Sequence, residues 1–127
     1  MENAKTMAST LMSNGIDIVS NGTENHIILV DLRNKGISGK DLERVLGSVN
    51  ITVNKNSVPN DPASPFVTSG IRIGTAAVTT RGLKEDDMIK IVDFIDKAIN
   101  KHDDEQSLKQ IAADVKDFMN HRPLFLN

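Results

Sequence analysis

The chain has 127 residues, of which 39% are hydrophobic and 25% charged, and 15 basic residues stand against 17 acidic ones for a net charge of −2. This composition is that of one ordinary folded domain, so collagen-like, low-complexity and disordered classes are excluded. Because the charges are spread along the chain, neither nucleic acid nor an anionic membrane is predicted as a partner.

Cysteine is absent from the chain, which excludes disulfides, thiolate nucleophiles and cysteine-based zinc sites. An intracellular, cytoplasmic protein is therefore the simpler expectation. The longest strongly apolar run, IILV at residues 27–30, is far shorter than the roughly 20 residues of a membrane helix. No secretory signal is predicted, because the N-terminus leads into a helical pattern. That pattern starts almost at Met1, so we expect a fragment that begins inside a helix.

The first elements are a helix and two strands. Apolar residues at three- and four-residue spacing predict a helix over residues 4–12 that ends at Gly15. Residues 16–19 and 26–32 have strand patterns. Because the loop between them is short and rich in turn-forming residues, we expect the two strands to pair antiparallel.

A short helix and a third strand precede a long irregular segment. Ser38, followed three residues later by Asp41, has the pattern of a helix N-terminus, and Gly47 ends this helix. Residues 51–53 predict a short strand. Three prolines and many polar residues exclude regular structure over residues 54–69, and a loop of that length in a compact domain is usually functional or disordered.

The last elements are one strand and two helices. Residues 71–73 alternate as a strand, with Arg72 on the face opposite the two isoleucines. The helical period returns over residues 84–100, and a second helix begins at the acidic residues 103–105. We predict a single α+β domain over residues 1–127, a small, mainly antiparallel sheet with helices packed on one face.

The sequence contains neither a phosphate-binding loop nor a cluster of metal-ligating residues. The run GISGKD at residues 36–41 is superficially like a phosphate-binding loop, but its first glycine is too close to the Gly-Lys pair and an aspartate stands where Ser or Thr would bind magnesium. His26, His102 and His121 are scattered, without a pair at metal-ligand spacing. The sequence therefore predicts no metal site.

Two groups of residues remain as candidates for ligand binding. Arg72 is flanked by glycines on its strand, where a planar guanidinium suits either a carboxylate ligand or a structural ion pair. In the preceding segment, the polar side chains of Asn56, Asn60 and Ser64 suit a polar heterocycle, and equally the backbone of the loop itself. From the residues alone, both alternatives stay open.

The run NKNSVPNDPASPFVTSGIRIGTAAVTTRG, residues 54–82, resembles the signature of the C-terminal part of serine hydroxymethyltransferase. The run GTENHIILVDL, residues 22–32, resembles the same family in the same order, and the likeness extends over residues 3–123. This resemblance implies the fold of the C-terminal small domain of fold-type I pyridoxal-phosphate enzymes. It also implies a transferase that interconverts serine and tetrahydrofolate with glycine and 5,10-methylenetetrahydrofolate.

The resemblance assigns roles to individual residues as well. In the family, the arginine of the SGIR motif binds the substrate carboxylate, which implies that role for Arg72 and leaves a structural role for Arg81. Ala76 stands where many members have proline, so this turn gains an N–H and loses stiffness. The family's folate contacts correspond to the NKNS and SPF motifs, here Asn56, Ser64, Pro65 and Phe66.

The family's Schiff-base lysine and the groups that hold the cofactor belong to a large domain that has no counterpart in this chain. We therefore expect an inactive C-terminal domain, with no catalytic residue of its own, whose parent enzyme uses pyridoxal phosphate. Serine, glycine and tetrahydrofolate are the implied partners of that parent, together with a homodimer-based assembly. Two alternatives are a standalone module that binds folate or pairs with subunits without catalysis, and a structural domain that self-associates through an uncovered apolar surface.

Overall fold

Residues 2–19, 27–74 and 85–120 are the ones that the computed structural model describes, and they form helices and short strands. In chain order the elements are α1 (Glu2–Ser13), β1 (Asp17–Ile18), β2 (Ile27–Asp31), a 3-10 helix (Arg33–Lys35), α2 (Gly39–Ser48), β3 (Asn54–Asn56), β4 (Gly70–Gly74), α3 (Glu85–Asn100) and α4 (Glu105–Asn120). This combination confirms the predicted α+β class.

The four strands form one antiparallel sheet in the order β1-β2-β4-β3. The pairing of β1 with β2 confirms the prediction for the first two strands. In the central pair, Val30 lies opposite Ile71, and Leu29 lies opposite Arg72. Side chains alternate across a strand, so the isoleucines of β4 are buried and Arg72 is exposed on the other face, as predicted.

The buried face of the sheet joins the apolar faces of the helices in one hydrophobic core. Within it, α3 packs against α1, α2 and α4. Phe94 of α3 and Phe118 of α4 meet edge to face, with ring centroids 5.6 Å apart. In the described residues, no helix has both the length and the apolar character needed to cross a membrane.

The sequence placed the third strand at the wrong residues. Residues 51–53 were predicted to be extended, but the strand is Asn54–Asn56, which pairs with β4. Its sequence, Asn-Lys-Asn, has low intrinsic strand propensity, and the pairing with a neighbouring strand overrides that propensity. The irregular segment therefore begins at residue 57. We refer to residues 57–69, which contain the three prolines, as the proline loop.

In the folded chain, the N-terminus of α2 lies against the end of the proline loop. As predicted, Ser38 caps this helix, its Oγ accepting a hydrogen bond from the Asp41 N–H at 3.1 Å. The N–H groups of Gly39 and Lys40 donate to the Thr68 and Val67 carbonyls at 3.0 and 2.9 Å. Backbone carbonyls of the loop thus satisfy donors of the first helical turn that have no partner within the helix.

Two glycines allow the close approach at this junction. A Cβ atom on Gly39 would lie 2.1 Å from both the Gly70 carbonyl oxygen and the Thr68 Oγ1. A Cβ atom on Gly70 would lie 2.5 Å from the Val30 carbonyl oxygen and 2.6 Å from a methyl group of Val58. Only glycine fits at these two positions. The two glycines allow α2, β4 and the proline loop to be in direct contact.

Candidate functional site

Arg72 lies in the middle of β4, on the sheet face that points away from the core. Its backbone is paired on both sides, with Leu29 in β2 and with Asn54 in β3. Within the described part of the chain, the guanidinium has no hydrogen-bond or ion-pair partner. An exposed planar fork on a strand paired along both edges is suited to bidentate binding of a carboxylate.

Arg33, in the 3-10 helix that follows β2, has a different arrangement from Arg72. Arg33 donates from Nε to both carboxylate oxygens of Asp31 at 3.0 Å, and its Nη2 forms a further ion pair with the same carboxylate. The Arg33 guanidinium holds the pKa of Asp31 below its usual range. Arg33 is therefore satisfied within the protein, whereas the Arg72 guanidinium has no partner among the described residues.

Asn56 lies on the same sheet face as Arg72, on the adjacent strand β3. Asn54 pairs with Arg72 and Asn56 pairs with Gly70, so Asn56 and Arg72 are diagonal neighbours. Such neighbours in an antiparallel pair lie roughly 7–8 Å apart. The Asn56 amide nitrogen donates to the Ser57 carbonyl at 2.9 Å. Its amide oxygen has no partner among the described residues and remains an available acceptor.

The other three predicted residues lie in the proline loop between β3 and β4. The Ser64 carbonyl accepts hydrogen bonds from the N–H groups of Val67 and Thr68 at 3.0 and 2.9 Å, which closes a turn around Pro65 and Phe66. Ser64, Pro65 and Phe66 are all exposed. The Phe66 side chain is 79% exposed, the largest exposed fraction among the large hydrophobic residues that the structure describes.

Asp61, in the same loop, is a residue that the sequence analysis missed. Its Oδ2 accepts from the N–H groups of Val58 and Ser69 at 3.1 and 2.8 Å. Its Oδ1 accepts from the Ala63 N–H at 2.8 Å and from the Ser69 hydroxyl at 2.6 Å. The Ser69 hydroxyl and these backbone N–H groups hold the pKa of Asp61 far below its usual range. Asn-Asp-Pro is a turn signal, but the sequence does not show that one carboxylate receives four donors.

Several residues named from the sequence have no site geometry. Arg81, Ala76, His26 and His121 lie outside the described residues. His102 lies in the turn after α3, where Nδ1 is 2.8 Å from the Ile99 carbonyl and Nε2 is 3.2 Å from an Asp103 carboxylate oxygen. Over residues 2–19, 27–74 and 85–120, no group of three or more His, Asp or Glu side chains could hold a metal ion.

A pocket of about 250 Å³ lies between α1, α3, α4 and the end of β4. Its lining is mainly apolar, with Met7, Ile73, Phe94 and Phe118 among the lining residues, and none of the described lining residues is charged. Pyridoxal phosphate needs a lysine amine and donors for its phosphate. Among the lysines that the structure describes, none is buried. The described lining of this pocket therefore does not offer the groups that hold pyridoxal phosphate.

Comparison with known proteins identifies the family. A sequence model described as serine hydroxymethyltransferase matches residues 1–95. The chain belongs to the serine hydroxymethyltransferase family. The matched range includes β3, the proline loop and β4, and thus all five residues that the sequence analysis proposed as a serine hydroxymethyltransferase site.

The curated relatives are much longer than this chain. Serine hydroxymethyltransferase of Legionella pneumophila (strain Corby) is 53% identical over 115 residues, which are 91% of this chain and 28% of the relative. Serine hydroxymethyltransferase 1 of Ralstonia nicotianae is 48% identical over 125 residues, which are 98% of this chain and 30% of the relative. The chain therefore spans less than a third of the length of these relatives.

Proposed function

We propose that this chain is the C-terminal small domain of a serine hydroxymethyltransferase. The parent enzyme interconverts serine and tetrahydrofolate with glycine and 5,10-methylenetetrahydrofolate in one-carbon metabolism. Family membership supports the reaction, and the observation that carries the role of this domain is the exposed guanidinium of Arg72, which has no partner within the described residues.

In this proposal Arg72 binds the carboxylate of serine or glycine. Two parallel N–H···O bonds orient a planar carboxylate as well as attract it, and a substrate oriented in this way loses less entropy on reaching the reactive geometry. The double pairing of β4 supports the assignment, since a strand bonded along both edges keeps the arginine backbone in one position. Lysine offers a single point charge and does not reproduce this fork.

The folate side of the proposal uses Asn56 and the exposed turn of the proline loop. The Asn56 amide has the donor and acceptor that pair with the polar edge of a pterin, and its oxygen is available. Pro65 and Phe66 offer an apolar wall for the aromatic remainder, beside the hydroxyl of Ser64. The exposure of Phe66 supports this role, because a large ring that is open to solvent has its contact area free for a ligand.

The cofactor belongs, in this proposal, to the part of the enzyme that this chain does not span. Pyridoxal phosphate supplies the electron withdrawal for the reaction when it is bound. In this proposal, the role of the described residues is to bind and orient the two substrates. We expect the isolated chain to be inactive, and the parent enzyme to assemble from homodimers.

A pyridoxal phosphate titration of the purified 127-residue chain tests this division of labour. Visible absorbance, borohydride trapping and peptide mapping should show no specific, saturable covalent adduct. Stoichiometric trapping on one lysine would contradict the proposal. A tetrahydrofolate titration of the same sample should show weak or no binding. A tight, saturable isotherm would instead support the non-catalytic folate-binding module.

The role of Arg72 requires a complete enzyme. This chain can be joined to the part of the Legionella pneumophila relative that it does not match, and we refer to the product as the hybrid enzyme. Arg72→Lys should raise the KM for serine about tenfold or more, because it removes a bidentate, charge-assisted contact. The control is Arg44→Lys, at an exposed arginine whose nearest carboxylate, that of Asp41, is 4.0 Å away.

The competing arginine, Arg81, provides a second comparison in the hybrid enzyme. Arg81→Lys should impair serine binding less than Arg72→Lys, since we assign Arg81 a structural role. Equal losses in the two variants would remove the basis for choosing Arg72. An inactive unsubstituted hybrid enzyme would count against the proposed function itself.

A further inference from the structure

The proline loop carries three of the four proposed folate contacts, yet it has no strand pairing over residues 57–69. A few local backbone hydrogen bonds lie within it, such as the bond from the Asp61 N–H to the Val58 carbonyl at 3.1 Å. Loops of this kind need other partners for their backbone donors, because an unpaired polar group away from water is costly. Backbone bonds from Leu32, Gly39 and Lys40 hold the carbonyls at the end of the loop, so the donors of the rest of the loop depend on its side chains.

Asp61 supplies those partners at both ends of the loop. Its carboxylate accepts from Val58 near the first turn, from Ala63 in the middle, and from the N–H and hydroxyl of Ser69 at the end. The three residues are separated along the chain, so a single half-buried side chain links the start, the middle and the end of the loop. The turn that presents Pro65 and Phe66 lies between two of these linked points.

Two residues of the loop, one next to Asp61 and one next to Ser69, have a left-handed backbone. Asn60 has φ 59° and Thr68 has φ 58°. This region is unfavourable for residues other than glycine, above all for a β-branched residue such as Thr68. Such a conformation persists only where surrounding contacts impose it. Thr68 is held by its own hydrogen bonds to Ser64, Gly39 and Gly70, and the bonds of Asp61 to the adjacent Ser69 add to these contacts.

Arg72 is independent of this arrangement. All five residues of β4 pair with β2, from Gly70 opposite Asp31 to Gly74 opposite Ile27. Pairing with β3 adds a second set of backbone bonds on the other edge. The position of the Arg72 backbone thus follows from the sheet, and removal of the Asp61 carboxylate should leave it in place.

We propose that Asp61 is a positioning residue, whose carboxylate sets the conformation of the proline loop and thereby orients Ser64, Pro65 and Phe66 for the folate substrate without affecting the carboxylate contact of Arg72. This inference rests on the proposed function for its folate step. Its structural step, that one carboxylate orders the loop separately from β4, can be tested on the 127-residue chain alone.

The first test is amide hydrogen exchange by NMR on the 127-residue chain. Asp61→Asn keeps the size of the side chain but replaces one acceptor oxygen with an NH₂ donor that faces N–H donors. Either the amide of Ala63, or the amides of Val58 and Ser69, should lose protection about five- to tenfold, according to which oxygen is replaced, because each bonds to one oxygen only. The amides of Ile71 and Ile73 in β4 should change less than twofold.

Asp104→Asn is the matched control for this test. The Asp104 carboxylate also accepts from the N–H and the hydroxyl of one serine, Ser107, at 3.2 and 2.9 Å, but at the start of α4. This variant should leave the proline loop unchanged. Unaltered loop amides in Asp61→Asn, or an equal loss of protection in β4, would overturn the inference.

The second test separates the KM values of the two substrates in the hybrid enzyme. Asp61→Asn should raise the KM for tetrahydrofolate about tenfold, with the KM for serine within about twofold of its original value. Ser69→Ala, which removes one of the four donors, should give a smaller rise. A variant that merely destabilised the domain would move both KM values together or lower activity without moving either.

The outcomes distinguish the two proposals. A rise of both KM values to the same extent, or of neither, in an active hybrid enzyme would overturn the positioning role of Asp61 while leaving the proposed function in place. An inactive unsubstituted hybrid enzyme would contradict the proposed function and with it the folate step. The exchange experiment would then still decide whether Asp61 orders the loop.

Discussion

Strand β4 and the proline loop adjoin each other in the chain, carry the two halves of the proposed substrate site, and are stabilised in different ways. Strand β4 has backbone hydrogen bonds along both edges and buries Ile71 and Ile73 in the core. The proline loop is held by the four hydrogen bonds of the Asp61 carboxylate, by backbone bonds from Gly39 and Lys40 of α2 to its last residues, and by one buried apolar side chain, that of Val58. Many small, redundant contacts tolerate the loss of any one of them, whereas a loop in which one carboxylate accepts four hydrogen bonds is more sensitive to the loss of that group.

The difference also bears on what each region can do. A substrate carboxylate needs a guanidinium at a constant position, which a strand in the middle of a sheet provides. A large aromatic ligand needs exposed apolar area, which the loop provides at Phe66 and a buried strand cannot. The two contacts therefore require different backbones. We expect substitutions in the two regions to differ in their effect on the unfolding free energy.

The largest expected effect concerns the strand. Ile71→Ala removes a side chain that is 0% exposed, so the domain should lose about 3 kcal/mol of unfolding free energy, within the range of roughly 2–5 kcal/mol for such cavities. Phe66→Ala, at the exposed end of the loop, should change it by less than about 0.5 kcal/mol. Urea denaturation of the 127-residue chain measures both. Similar losses in the two variants would mean that the strand and the loop do not differ as described.

The second effect concerns the junction between the two regions. Gly39→Ala places a methyl group against the Gly70 carbonyl and the Thr68 hydroxyl, so α2 must move from the loop, at a cost of about 2–3 kcal/mol. Gly47→Ala is the matched control in the same helix, since a Cβ there would meet no atom within 4 Å. That variant should be neutral or stabilise the domain by up to about 1 kcal/mol. A neutral Gly39→Ala in thermal or urea denaturation would contradict the contact.

The smallest expected effect is the change in unfolding free energy when the Asp61 carboxylate is protonated, and it appears only at acid pH. Its pKa is lowered in the folded protein by the Ser69 hydroxyl and the loop N–H groups. A lowered carboxyl pKa contributes stability that is fully present above the unfolded value of about 3.9 and is lost as the pH falls toward the folded value. The unfolding free energy should therefore be constant from about pH 7 to pH 5 on this account and should fall below about pH 4.

Asp61→Asn should make the acid limb of this profile less steep. Part of the slope should remain, because the pKa of Asp31 is lowered by Arg33 and that of Asp104 by Ser107. Urea denaturation at a series of pH values measures the profile, with Asp104→Asn as the comparison. If Asp61→Asn left the acid limb unaltered, the Asp61 carboxylate would not be bonded in the folded loop, and the contrast between loop and strand would weaken.

Local patterns in the sequence were enough for most elements of the fold. The spacing of apolar residues predicted the helices and the face of β4 on which Arg72 lies, and Ser38 predicted the start of α2. These features depend on residues within a few positions of one another, so a single stretch of sequence contains the information. The resemblance to the serine hydroxymethyltransferase family was likewise visible in the run of residues 54–82, and the family comparison confirmed it.

The sequence failed where a residue's partners are distant or polar. It placed a strand at residues 51–53, because Ile and Val have high strand propensity, and missed β3, whose residues form a strand only through pairing with β4. It overlooked Asp61, because the loop must close before Val58 and Ser69 can donate to the same carboxylate.

The sequence alone thus determined the α+β class, the helix boundaries near their caps, the exposed face of Arg72 and the family. Only the tertiary structure decided that Arg72 and Asn56 are diagonal neighbours on one sheet face, that Arg33 is already paired while Arg72 has no partner in the described residues, and that one aspartate accepts four hydrogen bonds within the proline loop. The physical reason is that periodicity and capping are short-range, whereas strand pairing and loop closure bring together groups whose separation along the chain carries no signal.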